Sequence, residues 1–183
     1  MFRDTRSGVE RLRQIEYFKT LIKECFSILE AKENPGYILK DEVPTIIRYL
    51  GGFPSEAQLS NVIIPEMQED EPTNYVHYDK FEKFMLNAII SEEFEPDDME
   101  TLLAAFRFFD QEGRGYIEID VMKKILKENG IAFRDKEWDD FMAYSADLDT
   151  NVIYYEDYVS RLLSENDKHI QNLLKGLEKF KYP

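Results

Sequence analysis

The residues of this chain best suited to chemistry are carboxylates. From Asp110 to Val121, Asp110, Glu112 and Glu118 stand at places one, three and nine of a twelve-residue stretch, with Gly115 at place six. A bent loop with that spacing gathers oxygens around a hard divalent cation. It uses side chains at 1, 3, 5, 9 and 12, a backbone carbonyl at 7 and a glycine at 6. Two places depart from this plan: Arg114 puts a cation at place five, and Val121 leaves place twelve without an oxygen.

Three more stretches align with this one on an apolar eighth residue, Ile38, Val76 and Ile153 matching Ile117. The first, from Ala31, has Glu33 and Pro35 at places three and five, then Gly36 and Glu42 at six and twelve. The second has Glu69, Glu71 and Thr73, but Asn74 replaces the glycine and Lys80 the last carboxylate. The fourth has Ala146, Leu148 and Thr150, then Asn151 and Asp157. A lysine or arginine in such a loop removes an oxygen and repels the ion. At about 4 Å and an effective dielectric of about 20, that repulsion is on the order of several kcal/mol. Each tenfold in affinity is only about 1.4 kcal/mol. No loop keeps enough ligands for micromolar binding, so no metal and no other cofactor is expected. The third loop is the best remaining weak candidate.

Other reactive residues are sparse. His77 and His169 lie far apart and read as loop or surface histidines. Cys25 is the only cysteine, which excludes an internal disulfide; its apolar helical setting reads as a buried thiol. The acidic pairs Glu92-Glu93 and Asp97-Asp98 read as solvated faces and caps. No phosphate-binding loop or dinucleotide fingerprint is present, and an enzyme is not expected.

The 183 residues are 43% hydrophobic and 33% charged, enough to bury a core and remain soluble. No apolar run approaches the 18 or so residues of a membrane span. The segment from Met1 to Gly8 has no apolar stretch behind it, so no signal peptide is expected. Asp and Glu number 37 against 23 Lys and Arg, a net charge of -14. That disfavours nucleic acid and anionic membranes, both of which present phosphates.

The elements that position the loops follow from apolar periodicity. Val9, Leu12, Ile15, Phe18, Ile22, Cys25, Phe26 and Leu29 stripe one long helix. A second, over about 41–50, has Pro44 in its first turn and stops at Gly51-Gly52. Ser55 with Gln58 forms a capping box for a third. The fourth carries Phe81, Phe84, Met85, Ala88 and Ile89. Residues 91–96 form a linker. The plan then repeats, from a helix capped by Asp97 with Glu100 to a closing helix with Tyr158, Leu162 and Leu163. A period near 40 would also suit a helical solenoid. The β-branched residue between each helix pair favours helix–loop–helix units instead, because two such loops join through a short antiparallel ladder there.

At these residues the chain resembles the calmodulin-like EF-hand superfamily. The segment from Leu50 to Leu59 looks like its inter-hand linker, Phe106-Arg107-Phe108-Phe109-Asp110 like the start of a hand, and Ile153 to Tyr158 like an exit. Within that superfamily, Thr45 to Gly51 and the segment Glu69-Asp70-Glu71-Pro72-Thr73-Asn74-Tyr75-Val76-His77-Tyr78-Asp79-Lys80-Phe81 are similar to the subunit 8 family of the ciliary nexin–dynein regulatory complex. The fold class implied is all-α, with two EF-hand pairs (9–90 and 97–163) and a C-terminal extension, 164–183. The resemblance implies a non-catalytic protein of the axoneme of cilia or flagella. Its partners would be other subunits of the dynein regulatory complex, gripped as amphipathic or coiled-coil helices without calcium. A calcium-sensing regulator of a soluble target is the alternative.

Paired hands leave an apolar groove for such a helix. Phe84, Met85, Ile89, Met122, Met142 and Leu163 are the candidate groove residues, with core packing as their other reading. In the extension, Ser164-Glu165-Asn166-Asp167 offers a cap for a new helix bearing Ile170, Leu173, Leu174, Leu177 and Phe180 on one face. Lys175, Lys179 and Lys181 suit its negative end. Ile170, Leu173, Leu174 and Leu177 complete the candidate partner-binding set. Docking on another subunit, folding into the chain's own C-terminal groove, and a frayed tail all remain open.

Overall fold

The computed structural model describes residues 8–68 and 73–181. The fold is all-α, with two short two-stranded ladders. It divides into two compact units, one holding the chain to Pro96 together with the tail from His169, the other Asp97–Lys168. Glu69 and Glu71 of the second loop, with the rest of 69–72, lie outside the described residues.

In the first unit α1 (Gly8–Leu29) buries Tyr17, Phe18, Ile22, Cys25 and Phe26, a stripe of three- and four-residue gaps. It leads into β1 (Tyr37–Leu39), a 3-10 turn at Lys40–Glu42, and α2 (Val43–Tyr49) with Pro44 in its first turn. The Ser55 box opens α3 (Glu56–Gln58): Gln58 N donates to Ser55 Oγ at 3.2 Å and Ser55 N to Gln58 Oε1 at 2.8 Å. Pro65 has no amide to give. Ahead of it the helix widens into a π turn, Leu59–Ile63, before α4 (Ile64–Met67). Then come β2 (Tyr75–His77) and α5 (Tyr78–Ser91). Ile38 and Val76 face each other across the β1–β2 ladder, both buried. The segment after α5 does more than link. Glu92 takes a left-handed turn (φ 54°), and Phe94 returns to the core, stacked on Phe84.

The second unit has α6 (Met99–Phe109), β3 (Ile117–Glu118), α7 (Ile119–Glu128), α8 (Asp135–Ser145), β4 (Val152–Ile153) and the start of α9 (Tyr155–Lys179). The cap of α6 is Asp98 rather than Asp97: its carboxylate accepts from Thr101 N at 2.8 Å. Ile117 pairs with Ile153, and both sit in a core with Leu103, Met122, Trp138 and Val159.

The Ser164–Asp167 cap does not form, because α9 runs without a break. The reason is phase. Val159, Leu163, Asn166, Ile170, Leu173 and Leu177 follow at gaps of four, three, four, three and four, all buried or half-buried. The helical spacing therefore continues through the proposed cap, and Ser164, Glu165 and Asp167 are exposed on the helix. In the first unit the tail is held by α1. Tyr17 Oη donates to Leu173 O at 2.6 Å. Arg13 donates to Leu177 O, Glu178 O and Phe180 O at 2.6, 2.9 and 3.0 Å, around the end of α9, where carbonyls run short of intrahelical donors. His169 meets Tyr49 O at 2.7 Å, and Leu177 packs on Tyr17 and Phe18.

Gly176 makes this approach possible: a Cβ there would lie 2.2 Å from Tyr17 Oη and 3.1 Å from its ring carbon. Alanine for glycine inside a helix ordinarily stabilises by about 1 kcal/mol. Here the sign reverses, and Gly176→Ala is expected to cost about 1–3 kcal/mol through overpacking. The readout is protection of the buried Cys25 thiol from an aromatic disulfide reagent. Faster labelling is expected, with an unchanged Trp138 melt in the other unit; unchanged or slower labelling contradicts this seat.

Candidate functional site

The third loop begins at the end of α6, where the Asp110 side chain is fully buried. Its Oδ1 accepts from Arg114 N at 3.0 Å, and its Oδ2 from Gly115 N at 2.8 Å and from Tyr155 Oη at 3.0 Å. Gly115 sits at φ 81°, the left-handed bend that turns the loop into β3. The Arg114 amide, with help from Gly115 N and the Tyr155 hydroxyl, holds the Asp110 carboxyl below the usual carboxylate range despite burial. Burial and the same contact push the Tyr155 phenol up.

The Arg114 guanidinium turns inward over this loop. Its nitrogens lie 4.0 Å from Asp110 Oδ1, 3.5 Å from Glu112 Oε2 and 3.4 Å from Glu118 Oε1. Its carbon stands 4.8 Å from the centre of the Tyr116 ring. The carboxylates at places one, three and nine thus surround a side-chain cation. Val121 at place twelve is exposed and offers nothing to a metal.

The other loops close by different means. In the first, Gly36 (φ 84°) donates to Glu30 Oε1 at 2.5 Å, one residue ahead of Ala31. In the second, Lys80 at place twelve donates to Gln68 O at 2.6 Å, just ahead of the loop. In the fourth, Asp147 makes the turn rather than Ala146, its carboxylate accepting from Asp149 N and Thr150 N at 3.0 and 3.2 Å. Asn151 takes the glycine place at φ 57°, and Leu148 at place three is exposed. Among the described residues no group of three His, Cys, Asp or Glu side chains is arranged to hold a metal. Calcium, which the fold class implies, does not fit the third loop as it stands, because a guanidinium lies among its first, third and ninth places.

The candidate partner-binding residues fall into three settings. Met85 and Met122 are deep core, each 2% exposed. Phe84 and Ile89 cover the first core, and Met142 and Leu163 the second, all half-buried. Leu173 and Leu177 are buried in the seat on α1, with Ile170 and Leu174 half-buried beside them. His77 accepts from Asp79 N at 3.2 Å as a helix cap, and burial pushes the Cys25 thiol up. Arg13, Tyr17 and Gly176 are not among the residues whose type and spacing mark a site in the sequence. An isolated glycine inside an amphipathic stretch was their one local signal.

Paired helix–loop–helix units joined by two-residue and three-residue ladders define an EF-hand protein of the calmodulin-like class. Over 78% of this chain and 92% of its own, the Physarum polycephalum myosin II regulatory domain superposes with a TM-score of 0.61 at 27% identity. Mouse dynein regulatory complex protein 8 is 31% identical over 80% of this chain and 88% of its own length. The Chlamydomonas reinhardtii protein of that name is 33% identical over 82% and 93%. No family model matches. The chain belongs to the dynein regulatory complex protein 8 family.

The lowered Asp110 carboxyl fixes a sign. The folded state binds fewer protons there than the unfolded chain, so its contribution is complete above the ordinary value of about 3.9. It is lost as pH falls through the lowered value. In acid titrations followed by Trp138 emission, Asp110→Asn should lower second-unit stability at neutral pH and flatten its fall in acid. An Asp110→Asn protein with the parent's acid slope contradicts the role given to this carboxylate.

Proposed function

We propose that the protein is a non-catalytic subunit of the axonemal dynein regulatory complex that holds helical segments of neighbouring subunits without needing calcium, and so helps regulate ciliary motility. Membership of the dynein regulatory complex protein 8 family, over four fifths of the chain, carries this reading. The loop chemistry supports the calcium-free part: Arg114 lies among the third loop's carboxylates, Lys80 replaces an acid in the second, and the first and fourth begin with alanine.

The second unit supplies the surface for helix holding. Its core leaves Leu102, Phe106, Leu126, Phe141, Met142 and Leu163 only partly covered. Residues 97–168 carry eighteen Asp and Glu against nine Lys and Arg, or -9 of the chain's -14. An amphipathic partner helix with a basic flank fits both properties, the charge guiding encounter and register. Met142 and Leu163 are its contacts in this reading, with Phe84 and Ile89 offering a second set in the first unit. Met85 and Met122 would act through packing beneath them, and Ile170, Leu173, Leu174 and Leu177 by keeping the tail seated.

The test is recovery of the tagged full chain from salt extracts of axonemes, in calcium and in chelator. Other subunits of the regulatory complex should co-purify equally in both. Met142→Gln should reduce recovery about tenfold, as loss of a central contact of about 1.4 kcal/mol or more would, while the Trp138 melt, lowered by the lost packing, still shows a folded second unit at the temperature of the assay. Recovery only in calcium would favour a calcium sensor, and no recovery in either would overturn the assembly reading.

A further inference from the structure

We propose that Arg114 is the resident cation of the third loop: its guanidinium stands in for a divalent ion, keeping the loop closed and excluding calcium. This deepens the calcium-free reading above and rests on it.

Three observations carry the inference. The carboxylates of Asp110, Glu112 and Glu118, which at places one, three and nine would face a metal, all lie within 4.0 Å of the guanidinium. The loop still has the shape that metal binding would otherwise impose: Gly115 is in the left-handed bend, and Ile117 and Ile153 are paired. Arg114 also acts through its backbone, since its amide donates to the Asp110 carboxylate at 3.0 Å while its planar head packs over Tyr116. The backbone is thus anchored to the first acid of the loop, and the head is held over Tyr116 among the three carboxylates. Arg114 is 38% exposed, and the Glu112 and Glu118 side chains more so. Each ion pair alone is weak for that reason. What matters is that three acids already share one charge that cannot be deprotonated. A divalent ion entering would meet like charge at ligand range, and would find the twelfth place apolar.

The sequence invites a simpler explanation, that Val121 alone disables the loop. Calorimetry on the full chain separates the two. Val121→Glu restores the missing carboxylate with Arg114 in place and is expected to give no calcium heat up to about 1 mM. R114D/V121E should bind at least a hundredfold more tightly. R114Q/V121E, which removes the charge without adding an acid, should fall between them, and R114K/V121E, which keeps the charge, should not bind. If R114D/V121E loses its Trp138 melt in chelator and regains it in calcium, the ion is doing what the guanidinium did, and the proposal stands. Calcium binding by V121E within threefold of R114Q/V121E overturns it, as does an absence of binding in all four variants. Neither result touches the wild-type reading, which fails only if the unaltered chain binds calcium.

Discussion

Everything in this fold hangs on four loops bending far enough for buried β-branched residues to meet in pairs, Ile38 with Val76 and Ile117 with Ile153. Each pair belongs to its unit's core, so a loop that failed to close would take buried residues out of that core. Bending a chain around carboxylates is costly unless something neutralises them and satisfies the amides turned inward. In a metal-binding hand an ion does so. On the proposal above the chain supplies substitutes: an arginine among the acids of loop three, Lys80 bonded to Gln68 O beside loop two, and carboxylates accepting turn amides in loops one and four.

The ladders and substitutes together suit a structural subunit. On the proposed reading, a loop closed by its own side chains would not open and close with ion concentration, and a helix held by the unit would stay held. The seat for the tail follows the same logic at the other end of the chain. Arg13 and Tyr17 take up the carbonyls of the last turns of α9, and Gly176 lets the backbone come close enough for both. A cation and a hydroxyl from α1 thus hold the backbone of the tail directly.

Much of this was legible from the chain because it depends on local pattern. The apolar eighth residues identify the ladder partners, and the Ser55–Gln58 box marks a helix start, since both are read within a few residues. Asp97 for Asp98 is a one-residue slip between two adjacent acids of equal capping power. The proposed break at Ser164 failed for a deeper reason. Good cap residues are also ordinary residues for the wet face of a helix, and only the unbroken phase from Val159 to Leu177 decides between them. The seat itself joins residues more than 150 positions apart, which no local pattern contains. Arg114 was visible as a charge in the wrong place for calcium. Its position among three carboxylates, and so its use, needed the folded loop.

Amide hydrogen exchange on the full, unaltered chain, compared in calcium and in chelator, addresses loop closure most directly. The amides of Arg114 and Gly115, both bonded to the Asp110 carboxylate, and those of the Ile117–Ile153 ladder report it residue by residue. Loops closed by their own side chains should be protected to the same degree in both conditions. A gain in protection of about tenfold or more at these amides on adding calcium, a shift of about 1.4 kcal/mol in local opening, would mean that an ion closes the loop after all.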